Sequence, residues 1–376
     1  MLQLILGRAG SGKTYRIREQ VKQLAEQNTE KIMLLVPEQY SFESEKAMLK
    51  LLGPKQVNKV QVMSFTRLTD MAFRAYGGSG IAKLDDGGRN IFMSLALEEV
   101  KEELEFYVTR VEELIPFMLS MSAELKMCAI APAVLLETAQ QTEDKKLKQK
   151  LKEVGMILSA YDALVAQSYL DPLDDLQRLK HTFTEHRFFE GYHIYIDSFE
   201  GFTQQEFDLI ELMLSQASEV TVSLSCDILD NQIGKEVFAR VRHTANVLMR
   251  MARQHHVQVS APIMLEPGIR FATEDLKHLE HQIFRVEKEP LSNIPDAITL
   301  YSGETVYNEA AYIGATIRHL VMNEGYQYQD FAIIARSLDH YRGILDVTLE
   351  QYEVPYFMDT PRSIYAEPLM CLVLYA

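Results

Sequence analysis

The sequence has few of the features that mark secreted, membrane or disulfide-rich proteins. Its 376 residues include three cysteines, Cys128, Cys226 and Cys371, which are widely spaced and never arranged as C-x-x-C. They match neither a disulfide framework nor a structural metal site, so small core positions are expected for them. No apolar run approaches the roughly 20 residues that cross a membrane, and no signal peptide is recognisable. A cytoplasmic protein without membrane association is therefore expected.

Positive charge is also scarce. The formal net charge is −15 at pH 7, from 38 lysines and arginines against 53 acidic residues. This balance argues against a surface coated with phosphate-binding residues, but it leaves room for a narrow basic channel. The chain has no internal repeat and no low-complexity tract. Because 47% of its residues are hydrophobic, it can bury a large core and should hold two or more domains.

The most specific motif present is G-x-x-x-x-G-K-[ST], which reads Gly7-Arg8-Ala9-Gly10-Ser11-Gly12-Lys13-Thr14. It follows a predicted strand and precedes a helix predicted over residues 15–27, which is the order that a phosphate-binding loop (P-loop) requires. Backbone N–H groups and the helix dipole would then face one anionic centre. All eight residues are expected to bind ATP, with Lys13 on the β/γ-phosphates and Thr14 holding Mg²⁺. The competing interpretation is a chance glycine-rich turn.

Short apolar segments alternate with helical ones around this motif. A buried strand is predicted at residues 31–37, a helix at 44–52 and a third strand at 57–64. After a long interval, residues 193–197 and 220–225 restart the sheet. Such alternation predicts a doubly wound α/β core with a parallel sheet, whose ligands bind at the carboxyl ends of the strands.

The interval between these strands, residues 83–186, has almost no strand signal. Its apolar spacing predicts an all-helical insertion, with helices at residues 90–104, 111–127, 131–141 and 145–167. Its charge runs are interpreted as solvated helix faces without a catalytic role.

Asp197 ends an apolar strand, as does the Mg²⁺-holding carboxylate of P-loop NTPases. Motor ATPases usually follow that residue with a glutamate, which orients the attacking water. Here Ser198 follows instead, and a neutral serine accepts a proton poorly. Glu200 could replace the missing glutamate only if the chain stays extended, because side chains two apart on a strand share a face. No catalytic residue is therefore assigned.

The order of these parts resembles a superfamily 1 helicase core, and more narrowly the B subunit of the bacterial AddAB-type ATP-dependent helicase–nuclease. The P-loop is similar to helicase motif I. Motif Ia is similar to residues 35–42, motif Ib to 64–68 and motif II to 194–203. Motif III is similar to residues 223–227, and motif IV and the segment that follows it to 331–337 and 353–357. The resemblance spans nearly the whole chain.

This resemblance implies a RecA-like P-loop NTPase fold. Domain 1A would comprise residues 1–82 and 187–290, a helical 1B-like insertion residues 83–186, and a truncated start of domain 2A residues 297–376, opening with a strand at 297–301. It also implies that Arg336 faces the γ-phosphate. The implied partners are single-stranded DNA at a double-strand break end and an A subunit, the active helicase–nuclease, in a heterodimer.

The chain also departs from the family pattern. Motif II lacks its glutamate, and Met1 leaves no room for the upstream glutamine that reads adenine. Motifs V and VI, the nuclease carboxylates and the cysteines of an iron–sulfur cluster are expected only in a C-terminal part beyond Ala376. These 376 residues are therefore not expected to cut DNA or to bind a cluster.

Residues in motifs Ia, Ib and II supply the groups that reading an unpaired strand requires. They offer aromatic faces, a guanidinium, and amide or hydroxyl groups. The candidates for contacting DNA are Gln39, Ser41, Phe65, Arg67 and Phe202. In the alternative interpretation, Phe65 and Phe202 are core residues and Arg67 is a surface charge at a helix start.

Three functions compete on these grounds. The first is an active ATP-driven translocase on single-stranded DNA. The second is a helicase-like subunit with little motor activity, which scans single-stranded DNA for the regulatory Chi sequence that the family's B subunit recognises. The third, an unrelated P-loop enzyme such as a small-molecule kinase, fits motifs Ia and Ib poorly. The second is the function predicted here.

Overall fold

The computed structural model of the chain describes residues 1–78, 80–107, 111–227, 229, 236–266, 268–283, 285, 288–358 and 368–375. The chain divides into two compact units, Met1–Ser292 and Asn293–Ala376. The sheet lies in the first unit, so the P-loop and Asp197 belong to one body.

A parallel sheet forms the centre of the first unit. In the described residues its strands are β1 (Leu2–Gly7), β2 (Ile32–Leu35), β3 (Val60–Met63), β4 (His193–Ile196), β5 (Glu219–Ser225) and β6 (Ile263–Met264). Their order is β3-β2-β4-β5-β1-β6, and each neighbouring pair is parallel. This confirms the predicted α/β class with a RecA-like parallel sheet.

The sheet is covered on both faces, which explains why its strands are apolar throughout. Along β2, Ile32 and Leu34 join one hydrophobic cluster, whereas Met33 and Leu35 join the cluster on the opposite face. The helices of this part are α1 (Lys13–Glu26), α2 (Ser41–Gln56), α3 (Phe65–Tyr76), α8 (Asp175–His186), α9 (Gln204–Gln216), α10 (Ala239–Gln254) and α11 (Glu274–Gln282).

Between β3 and β4 lies a group of helices with a core of its own. They are α4 (Asp86–Val100), α5 (Val111–Met127), α6 (Pro132–Gln141) and α7 (Lys145–Ala166). Met93, Ile157 and Tyr161 are fully buried in this core. By contrast, Leu179 and Phe183 of α8 belong to the core of the sheet.

No single described helix is long and apolar enough to cross a membrane, and α5 and α6 meet that criterion only as a pair bent by 93°.

Lys126 of α5 forms ion pairs with carboxylates of α7 and of the turn that follows α7. Its ammonium lies 3.0 Å from Asp171, 2.7 Å from Asp174 and 3.3 Å from Asp162. Burial lowers the pKa of Lys126, but the three carboxylates outweigh burial and raise the pKa above its ordinary value. The lysine therefore stays charged inside the insertion.

Glu153 fixes the segment that follows α4. Its buried carboxylate accepts hydrogen bonds of 2.7–3.0 Å from the backbone N–H groups of Glu105, Phe106 and Tyr107 and from the Gln149 amide. Burial by itself raises the pKa of Glu153. The hydrogen bonds outweigh burial and hold the pKa below its ordinary value.

The second unit contains α12 (Val306–Glu324), α13 (Leu345–Gln351) and α14 (Pro368–Tyr375). A small core there includes Ala310, Leu345 and Leu349. The strand predicted at residues 297–301 is wrong, because none of these residues lies in a strand. Leu300 is 96% exposed, and an apolar segment becomes a strand only when a neighbouring strand satisfies its backbone and covers its side chains.

We expect Glu153→Gln to lower the free energy of unfolding by about 1–3 kcal/mol at pH 7, because the amide places a donor among backbone donors. Since the pKa of Glu153 is depressed in the folded state, its contribution is present above about pH 4.5 and is lost as the pH falls through the folded value. Urea unfolding at pH 7 and in acid measures this. The exposed Glu124→Gln is the control, and equal losses in the two variants at pH 7 would contradict the prediction.

Candidate nucleotide site and adjoining sheet edge

The P-loop occupies the connection between β1 and α1. The backbone at Gly10 and Gly12 is left-handed, with φ of 72° and 87°, a conformation that glycine adopts without steric cost. Gly12 is the N-cap of α1, which begins at Lys13. The free N–H groups at this helix end therefore face the loop, as a phosphate requires.

Lys13 is the cation of the loop. Its ammonium donates to the carbonyl oxygens of Gly7 at 2.8 Å and Arg8 at 3.0 Å. The pKa of Lys13 is below its ordinary value, chiefly because the side chain is buried. The nearby Arg270 guanidinium also lowers this pKa, whereas the carboxylates of Asp197 and Glu280 raise it. The lysine thus lies in the electrostatic field of two carboxylates and one guanidinium.

Asp197 follows β4, which β5 separates from β1. It is 4% exposed, and its N–H donates to the Leu35 carbonyl at 3.0 Å. The Ser223 hydroxyl, on the intervening strand, donates to its Oδ1, and Oδ2 accepts no hydrogen bond from a described residue. One carboxylate, the Thr14 hydroxyl, phosphates and water are a donor set that suits Mg²⁺.

The chain does not stay extended after Asp197. Ser198 has a φ of 67°, in the left-handed region, and β4 has already ended at Ile196. The condition under which Glu200 would share a face with Asp197 is therefore not met, and Glu200 is exposed.

Motifs Ia and Ib follow β2 and β3 at the carboxyl edge of the sheet. Gln39 is exposed in a short helical turn, whereas Ser41 is buried and donates to the Glu38 carbonyl at 2.8 Å. The Arg67 guanidinium forms an ion pair with Glu45, and its side chain is 37% exposed. Of these candidates, Gln39 and Arg67 are accessible.

The two predicted stacking rings lie in an aromatic cluster. Phe65 is only 8% exposed and meets Phe199 edge-on at 5.8 Å between ring centroids. Phe202 is half-buried and lies 5.1 Å from Phe199 and 5.4 Å from Phe207. Phe65 therefore presents no free ring face in this structure, and its position matches the alternative interpretation as a core residue.

Two aromatic residues of motif Ia are exposed and were not selected from the sequence. Tyr40 is 48% exposed and Phe42 is 67% exposed, at the start of α2. They flank Ser41 and follow Gln39. The sequence did contain a signal for them, because two aromatic residues follow the end of the predicted buried strand, where side chains are no longer covered by the sheet.

Arg336, predicted to face the γ-phosphate, lies in the second unit, where its side chain is exposed. Its role stays a prediction. Within the described residues, no group of three or more His, Cys, Asp or Glu side chains is arranged to hold a metal ion.

Comparison with known proteins adds a family and relatives. A family model described as "ADDB, N-terminal" matches residues 4–280 of this chain. The B subunit of an ATP-dependent helicase/deoxyribonuclease from Clostridium kluyveri is 30% identical over 385 residues, covering 100% of this chain and 33% of its own length. Proteins of the same name from Clostridium acetobutylicum and Clostridioides difficile are each 29% identical, over 99% and 100% of this chain and 33% of their own lengths. The chain therefore spans a third of the length of these curated relatives.

We expect Lys13→Ala to abolish binding of ATP·Mg²⁺, because the change removes the positive side chain that the P-loop places on the β/γ-phosphates. Calorimetric titration with ATP and Mg²⁺ measures the affinity. Lys50→Ala, which removes an exposed lysine of α2, is the control and should bind like the parent. Equal affinities of Lys13→Ala and the parent would show that the loop does not bind the nucleotide.

Proposed function

The chain belongs to the family described as ADDB, N-terminal, and we propose that it is the ATP-binding, helicase-like part of a helicase–nuclease component in DNA repair. In this function it scans single-stranded DNA for a regulatory (Chi) sequence and has little motor activity of its own. The observation that carries the proposal is the position of the P-loop after β1, at the same carboxyl edge of the parallel sheet as Asp197 and the segments of motifs Ia and Ib.

Nucleotide binding is supported by the chemistry of the loop. The eight residues run from Gly7, the last residue of β1, to Thr14 in the first turn of α1. When bound, Mg²⁺ would neutralise phosphate charge, and Thr14 and Asp197 are the residues that would hold it. Lys13 would exchange its bonds to two loop carbonyls for phosphate oxygens.

Weak motor activity is supported by the chain after Asp197. Ser198 replaces the water-orienting glutamate and turns the backbone, so Glu200 does not continue the face on which Asp197 lies. The alternative is an active ATP-driven translocase. The intact P-loop and the family position of Arg336 favour that alternative.

DNA binding is supported by exposed groups after β2 and β3. Tyr40 and Phe42 offer ring faces for stacking, Gln39 offers an amide, and Arg67 offers a guanidinium. A DNA phosphate would compete with Glu45 for Arg67. This local set is compatible with an acidic chain, because a groove needs only a few cations along its floor.

The partner is inferred from the name of the relatives, which describes each of them as the B subunit of an enzyme. We propose a heterodimer in which an A subunit supplies active helicase and nuclease functions at a double-strand break end. We expect an iron–sulfur cluster and nuclease carboxylates only in the two thirds of the relatives' length that this chain does not cover.

We expect the chain to bind single-stranded DNA while its ATP turnover stays near background, because Asp197 lacks a water-orienting neighbour. Fluorescence anisotropy measures DNA binding, and phosphate release with and without DNA measures turnover. Lys13→Ala defines the background. Robust DNA-stimulated turnover that Lys13→Ala removes would establish the translocase alternative, and turnover without DNA binding would favour a small-molecule kinase.

We expect Phe42→Ala to weaken binding of single-stranded DNA about tenfold or more, because base stacking on an aromatic ring contributes roughly 1–3 kcal/mol. Phe65→Ala should instead destabilise the fold by about 3–5 kcal/mol, as a buried ring does. Anisotropy and thermal melts of both variants measure the two effects. The control is Leu49→Ala, which changes another exposed apolar residue of α2. If Leu49→Ala and Phe42→Ala bound DNA with equal affinity, a stacking role for Phe42 would be contradicted.

A further inference from the structure

Residues 268–271, which we call the strap, pack directly on the P-loop. The Arg270 N–H donates to the Gly10 carbonyl at 3.0 Å. A Cβ added at Gly10 would lie 3.0 Å from the Arg270 Cβ and 3.2 Å from a ring carbon of Phe271. Contact this close leaves little space between strap and loop, so the strap forms one wall of the phosphate site.

The strap is held in place by the sheet. It follows β6, whose Ile263 and Met264 pair with Ile5 and Leu6 of β1. The Leu265 N–H then donates to the Leu6 carbonyl at 2.8 Å. Loop and strap therefore leave the carboxyl ends of adjacent strands, and their relative position is fixed by backbone hydrogen bonds.

The arginine within the P-loop is already engaged. Arg8 Nε lies 2.8 Å from Glu280 Oε1, and its guanidinium lies 5.4 Å from the centroid of the Phe238 ring. The Arg8 side chain is only 12% exposed. Its charge is thus compensated by Glu280, and it holds α11 against the loop.

Arg270 differs from Arg8 both in the exposure of its side chain and in the partners of its guanidinium. Its side chain is exposed, and its guanidinium forms no hydrogen bond or ion pair with the described part of the chain. Its charge lowers the pKa of Lys13, and its backbone bonds to the same loop, so the two cations lie within range of each other's charge. A bound polyphosphate would offset the repulsion between them.

We propose that Arg270 is a second phosphate-binding residue of this site, supplied by the same unit as the P-loop, for the polyphosphate of a nucleoside triphosphate. This inference rests on the proposed nucleotide binding. It extends that function, because the first unit then provides two cations for the phosphates without Arg336 of the second unit.

Arg270→Ala tests this cleanly, because alanine keeps the backbone N–H that bonds to Gly10 and removes only the guanidinium. We expect about tenfold weaker binding of ATP·Mg²⁺, since a charge-assisted hydrogen bond to phosphate is lost. Arg270→Lys should recover part of the affinity, and thermal melts should match the parent. Arg250→Ala, which removes an exposed arginine of α10, controls for net charge and should bind like the parent.

The outcomes distinguish a phosphate-binding role of Arg270 from the proposed nucleotide binding on which it rests. If the parent binds ATP, Lys13→Ala does not, and Arg270→Ala binds as tightly as Arg250→Ala, then Arg270 has no phosphate role while nucleotide binding stands. If the parent does not bind ATP, both proposals are overturned. Weaker binding by Arg270→Ala at unchanged thermal stability, with partial recovery in Arg270→Lys, supports the inference.

Discussion

Parallel pairing of β1 with β5 is the constraint on which the rest of the structure depends. It joins Leu2–Gly7 to Glu219–Ser225, more than two hundred residues later in the chain. Because β5 also pairs with β4, the P-loop and Asp197 reach one edge of the sheet. The helices α4 to α7 are accommodated between β3 and β4 without disturbing this pairing, because they bury a core of their own.

Electrostatic balance determines what this edge can bind. The charges of Asp197, Arg270 and Glu280 each act on Lys13, and Glu280 also pairs with Arg8. Each carboxylate therefore has an assigned role: Glu280 restrains an arginine of the loop, and Asp197 is available to a divalent cation. In the proposed nucleotide site, a triphosphate with its metal would be bound by complementary charges that the fold has positioned beforehand.

The same edge shows how burial separates similar residues. Phe65 and Phe42 are both aromatic residues near the carboxyl end of a strand, yet one is 8% and the other 67% exposed. Phe65 begins α3 behind the Ser64 N-cap and turns toward Phe199, whereas Phe42 lies on the outer face of α2. A DNA contact is predicted from the sequence for Phe65 and not for Phe42. Residue type alone does not separate the two positions, because it is the direction of the helix start that buries one ring and exposes the other.

The sequence by itself determined the P-loop, the alternation of strands and helices, the parallel sheet and the position of Asp197 at a strand end. These features follow from local rules, because glycine spacing, apolar runs and helix periodicity act over a few residues. The tertiary structure alone decided that Glu280 compensates Arg8, that the strap brings Arg270 to Gly10, and that residues 297–301 form no strand. Each of these outcomes depends on a residue distant in the chain or on a neighbouring strand, and no local pattern encodes such a contact.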